Sequence, residues 1–99
     1  MILSMSGRSI DRAEYAFLGQ VIRELREEFG LTQRALARKA GRTETSINKI
    51  ESGGQRVDMV ELLDIARALR VPIVEIAARF ERMSADTAPA VSSVRSSQP

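Results

Sequence analysis

The stretch that most constrains this chain runs from Leu31 to Ser52, LTQRALARKAGRTETSINKIES. Two short segments of helical character lie within it, separated by Ala40-Gly41-Arg42, and each opens on a threonine. Thr32 is placed to cap a helix over Gln33 to about Ala40, because a threonine hydroxyl accepts from an amide that the first helical turn leaves without a partner. Leu31, just ahead of that cap, is spaced to pack on Leu36 as a hydrophobic staple. Gly41 falls where the chain leaves the helix through a left-handed residue, a conformation glycine adopts without steric cost. Thr43 then caps a second helix to about Ser52. Helices joined this closely cross steeply. Their apolar spacing turns Leu36, Ala37 and Ala40 of the first and Ile47 and Ile50 of the second inward, which leaves Glu44, Thr45, Asn48 and Lys49 pointing outward.

The flanks supply the rest of a helical core. Leu18, Val21, Ile22, Leu25 and Phe29 recur at spacings of three and four, so a helix is expected from about Asp11 to Phe29, with Gly30 as its stop. Tyr15 and Phe17 read as packing groups, with a partner-binding role as the alternative. Gly53-Gly54-Gln55-Arg56 reads as a loop. Asp58 with Glu61 spells a capping box, and Val57 with Leu62 a staple, for a helix from Met59 to Leu69 that buries Leu62, Leu63, Ala66 and Leu69. Val71-Pro72 marks the next boundary. A fifth helix is expected from Pro72 to about Met83, carrying Ile73, Ile76, Ala77 and Phe80. The chain thus divides into a flexible arm (residues 1–10), one folded domain (residues 11–83) and a disordered tail (residues 84–99) that is polar, proline-containing and aperiodic.

Composition agrees with one small all-α domain. Ninety-nine residues hold a single core, and with 43% hydrophobic but only 4% aromatic residues that core must be filled by aliphatic side chains. The formal charge is only +2. Between Gln33 and Arg56, however, Arg34, Arg38, Lys39, Arg42, Lys49 and Arg56 outnumber Glu44 and Glu51, so the local balance of +4 is twice that of the whole chain. Concentrated positive charge attracts phosphate and makes binding salt-dependent. The sequence has no cysteine and no histidine, which removes disulfides, thiolate metal sites and the commonest catalytic base. No cofactor or metal is expected, and no enzymatic activity. The S-x-x-K spelling of Ser46-Ile47-Asn48-Lys49 lacks its companion motifs. No apolar run is long enough to cross a bilayer, and the chain is read as cytoplasmic.

From Leu18 to Phe80 the segments LGQVIRELREEFGLTQ, ALARKAG, SINKIESG and ELLDIARALRVPIVEI follow one another in an order that resembles the phage-repressor and Cro-like helix-turn-helix family, the xenobiotic-response-element (XRE) type. The resemblance implies a five-helix repressor-like DNA-binding domain whose second and third helices form the motif, the third lying in the major groove of double-stranded DNA. It implies base-reading roles for Glu44, Thr45 and Lys49, flanked by Thr43, Ser46 and Asn48. Lysine suits guanine and threonine suits a base edge or thymine methyl, whereas glutamate either accepts from cytosine or only stabilises the helix start through the dipole. Gln33 matches a phosphate-contacting glutamine, and Arg56, with Gln55 beside it, a backbone-contacting position; Arg34 and Arg42 are further candidates for phosphate. Arg26 and Glu51 match a structural ion pair. Arg42 departs from the apolar residue frequent at its position, so no staple to Ile47 is expected there.

The function expected is that of a sequence-specific transcriptional regulator, a repressor acting as a homodimer on a palindromic operator. Ile73, Ile76, Phe80 and Met83 are the candidate dimer surface, closure of the domain core being the other role open to them. Phage-type repressor, restriction-modification controller and autoregulating antitoxin with a toxin partner all fit the pattern. So does a protein-interaction module that keeps the fold without binding DNA.

Overall fold

The computed structural model describes residues 13–86. The expected N-terminal arm and nearly all of the expected tail lie outside them. Five helices follow in order: α1 (Ala13–Glu28), α2 (Gln33–Ala40), α3 (Glu44–Glu51), α4 (Met59–Leu69) and α5 (Ile73–Asp86). Among the described residues there is no strand, and no helix is long and apolar enough to cross a membrane.

The local signals act as physical chemistry requires. The Thr32 hydroxyl accepts from the amide of Ala35 at 3.0 Å, and that of Thr43 from the amide of Ser46 at 3.0 Å. Gly41 is left-handed at φ 71°, and the amide of Arg42 returns to the carbonyl of Ala37 at 2.8 Å to close α2. At α4 the capping box is complete: Asp58 Oδ1 accepts from the Glu61 amide at 2.8 Å, and Glu61 Oε1 from the Asp58 amide at 3.1 Å. Each such cap contributes about 1 kcal/mol. α4 ends on Arg70, a left-handed non-glycine residue at φ 59°.

The core is aliphatic, as the composition demands. Val21, Ile22, Leu36, Ile47, Ile50, Ile65 and Ile76 are sealed from solvent, with Leu25, Ala37, Ala40, Ala66, Ala68 and Leu69 beside them. Leu18, Leu31, Val57, Leu62, Phe80 and Met83 pack against it from its edge. α1 lies against both α3 and α5, and α2 against both α3 and α4, so the motif is held from two sides.

Several expectations need correction. Phe29, expected on the inner face, is 43% exposed, although its amide still bonds the carbonyl of Leu25 at 3.0 Å; α1 ends at Glu28 and the chain redirects at Gly30. On α4 the fully buried isoleucine is Ile65, while Leu62 and Leu63 are both only half-buried, so the buried face is centred on Ile65, Ala66 and Leu69. α5 begins at Ile73, immediately after Pro72, and continues past Met83 to Asp86, so the expected boundary at residue 84 falls inside a helix. Ala77 is exposed. Ile76, expected at a dimer surface, is completely buried and belongs to the core of the single chain.

Candidate nucleic-acid interface

The outward side of α3 is built by its inward side. Ile47 and Ile50 are sealed in the core, and that anchor leaves Glu44, Thr45, Asn48 and Lys49 exposed. Thr43, at the cap, is exposed too, and Ser46 is half-buried. Among the described residues the side chains of Glu44, Thr45 and Lys49 have no hydrogen-bond partner, and they remain available to an outside molecule.

Behind this face runs a connected set of polar side chains. Arg26 is buried, and its guanidinium donates to both carboxylate oxygens of Glu51 at 2.6 and 2.9 Å and to the carbonyl of Leu31 at 2.8 Å. The hydrogen bond to Glu51 raises the pKa of Arg26 above its ordinary value. Gln33 Nε2 donates to Glu51 Oε1 at 3.0 Å, and Gln33 Oε1 accepts from Asn48 Nδ2 at 3.2 Å. The Gln33 side-chain carbonyl therefore braces α3, while its amide, expected at a phosphate, donates within the protein to Glu51. Removing one partner of a buried pair such as Arg26–Glu51 strands the other charge, at about 3–5 kcal/mol.

The loop after α3 is tied back to it. Gln55, expected at the DNA backbone, instead donates to Ser46 Oγ at 3.3 Å and is half-buried. This leaves Arg56 exposed between two anchored neighbours, Gln55 and the partly buried Val57. Arg34, Arg38 and Lys39 are exposed on α2.

Arg42 is placed differently from the expectation. Its Nη2 donates to Asp64 Oδ2 at 2.6 Å, and its Nη1 lies 3.7 Å from Glu61 Oε2, both on α4. It is an internal ion pair and not a cation held out to phosphate. Sequence spacing offered no signal for it, since Asp64 stands 22 residues away. The positive balance of the interface is unchanged by this, because Arg42 is neutralised by α4 while Glu51 is neutralised by Arg26.

Residues 22–76, more than half of the chain, match the model of the helix-turn-helix family. The chain belongs to the XRE-type helix-turn-helix family. It is 40% identical over 67 residues to a Rhodospirillum rubrum protein described as an uncharacterized transcriptional regulator in the ATPase CF(0) region, a match covering 68% of this chain and 62% of that protein. The chain thus spans about three-fifths of that relative's length. The crystal structure of the restriction-modification controller protein C.AhdI from Aeromonas hydrophila superimposes with a TM-score of 0.65 at 34% identity, over 66% of this chain and 98% of that one. An XRE-family like protein from Pseudomonas syringae gives a TM-score of 0.65 at 28% identity, over 79% of this chain and 95% of that one.

Proposed function

We propose that this helix-turn-helix protein is a sequence-specific DNA-binding transcriptional regulator without catalytic activity, with α3 as the helix that enters the major groove. One observation carries the reading: α3 is anchored by two buried isoleucines and turns Thr45, Asn48 and Lys49 outward with Glu44 at its exposed start. Thr45 and Lys49 read base edges, and Glu44 either accepts from cytosine or serves the helix dipole. Arg34 and Arg56 meet phosphates, with Arg38 and Lys39 adding to the local field. Its relatives, one described as a transcriptional regulator and one as a restriction-modification controller protein, support this reading over an antitoxin one.

A single motif reads few base pairs, so we assign the protein to a two-fold dimer acting as a repressor on a palindrome with half-sites about 34–36 Å apart. The outer side of α5 is the surface proposed for it. Ile73, Phe80 and Met83 keep part of their apolar surface, and a groove of about 430 Å³ lies between Tyr15 and Leu18 of α1 and Phe80 of α5.

Titration onto duplex DNA at rising salt tests the reading. Binding that weakens steeply as salt rises is the expected result. Absence of binding at low salt overturns it and favours a protein-interaction module, the role that the exposed Glu44 suits. Sedimentation tests the dimer, and monomer alone at high concentration removes it.

A further inference from the structure

Arg42 occupies the turn of the motif, where the chain must change direction before α3, yet it reaches across to α4. Two carboxylates one helical turn apart on α4, Glu61 and Asp64, face it. Glu61 is also the residue that closes the α4 capping box on Asp58. The guanidinium therefore touches the structure that fixes where the loop of Arg56 ends. That loop is fixed at its other end by Gln55 on Ser46, at the start of α3. Arg42 thus closes a ring: turn, α4 cap, Arg56 loop, first turn of α3 and back to the turn. The Arg42 side chain is 28% exposed, and its Nε is buried without a hydrogen-bond partner, so holding the group against α4 carries some cost.

We propose that Arg42 is a positioning residue for the DNA face and makes no DNA contact of its own: its tie to Asp64 and Glu61 fixes α3 relative to the Arg56 loop. The proposal rests on the DNA-binding reading above and deepens it. A contact made through geometry predicts a different pattern from a contact made through charge. If Arg42 acts by holding the turn, losing Asp64 is as harmful as losing Arg42, although the first change removes a negative charge and the second a positive one.

The test compares Arg42→Ala, Asp64→Ala and the double variant, each checked by circular dichroism for retained helix content. Both single variants are expected to bind duplex DNA more weakly by on the order of tenfold, and the double variant no more weakly than either, as for two residues in one interaction. The slope of log affinity against log salt is expected to stay that of the unaltered protein. If Arg42 instead meets a phosphate, Arg42→Ala lowers that slope by about 0.9 and Asp64→Ala leaves binding unchanged or tighter, which overturns the proposal. Equal affinity in all variants overturns it as well. Amide hydrogen exchange of the free protein gives a readout independent of DNA: the hydrogen-bonded amides of Ser46, Ile47, Asp58 and Glu61 are expected to exchange faster in both single variants, with α1 unaffected. Unchanged exchange there sinks the clamp even if DNA is bound. Failure of the unaltered protein to bind DNA, with exchange altered as expected, overturns the proposed positioning of a DNA face together with the function on which it rests, while the tie itself stands.

Discussion

Lys49 and Arg56 are both exposed cations on the proposed interface, but they stand on different supports and should fail differently. Lys49 projects from a helix whose inner side is locked by Ile47 and Ile50, so the direction in which its side chain leaves the backbone is fixed. Arg56 sits in a loop and offers charge to a backbone that is alike in every sequence. Lys49→Ala is expected to relax base preference at one operator position by about 1–3 kcal/mol. Arg56→Ala is expected to weaken all sequences alike and to lower the salt slope by about one. Binding to a panel of single-base operator variants at two salt concentrations separates the two outcomes. At this scale the outward face of α3 was readable from the sequence, because buried and exposed positions alternate with helical period. Arg42 and Gln55 were not. Their partners, Asp64 and Ser46, are fixed by the fold, and a polar residue near a basic patch reads as a contact until the neighbour that occupies it is seen.

Between elements, backbone proximity sets what a position tolerates. Gly19 of α1 lies against the C-terminal end of α3: a Cβ there would come within 2.3 Å of the Ile50 carbonyl oxygen and 2.6 Å of that of Glu51. Neither is a flexible group that can swing away. Gly19→Ala is therefore expected to destabilise the fold by at least the 1–3 kcal/mol typical of overpacking, roughly, and thermal unfolding measures it. The end of α4 presents the reverse case. Arg70 holds φ 59° without being glycine, a conformation that costs a side-chain-bearing residue about 1–2 kcal/mol, against the 0.5–1 kcal/mol that glycine's extra freedom costs. Arg70→Gly is expected to stabilise by roughly 0.5–1 kcal/mol in denaturant unfolding. Caps and stops such as Thr32, Thr43, Gly41 and the Asp58–Glu61 box were visible in the sequence because each acts within four residues. The close approach at Gly19 was not, since a glycine inside a helical pattern carries no sign of which helix will cross it. The phase of α4 and the extension of α5 to Asp86 were misjudged for a related reason: apolar runs on a short helix fix a face only to within one residue, and Ser84-Ala85-Asp86 has no breaker to end it.

Across the whole molecule, α5 is secured to α1 by charge as well as by packing. Arg79 donates to both carboxylate oxygens of Glu28 at 2.8 and 3.1 Å and to Glu75 at 3.0 Å. The hydrogen bond from Arg79 holds the Glu28 carboxyl below its ordinary range. Since the folded value lies below the unfolded one, the tie supports the fold fully above the ordinary carboxylate pKa. That support is lost as pH falls through the depressed value. Melting temperatures are expected to drop as pH falls below the ordinary carboxylate range, and to drop less for Glu28→Gln than for the unaltered protein. Exposure and added salt make the difference modest. An equal drop in both proteins would show that the pair carries none of the acid sensitivity.

The groove bounded by Glu14, Tyr15 and Leu18 on one side and Phe80 and Ser84 on the other brings the opening turns of α1 beside the closing turns of α5. The order of the helices along the backbone is therefore separable from their order in space. A circular permutant that joins α5 to α1 through a short linker and opens the chain just after the exposed Gly54, whose amide closes α3 on the Lys49 carbonyl, is expected to keep the helix pairings of the parent.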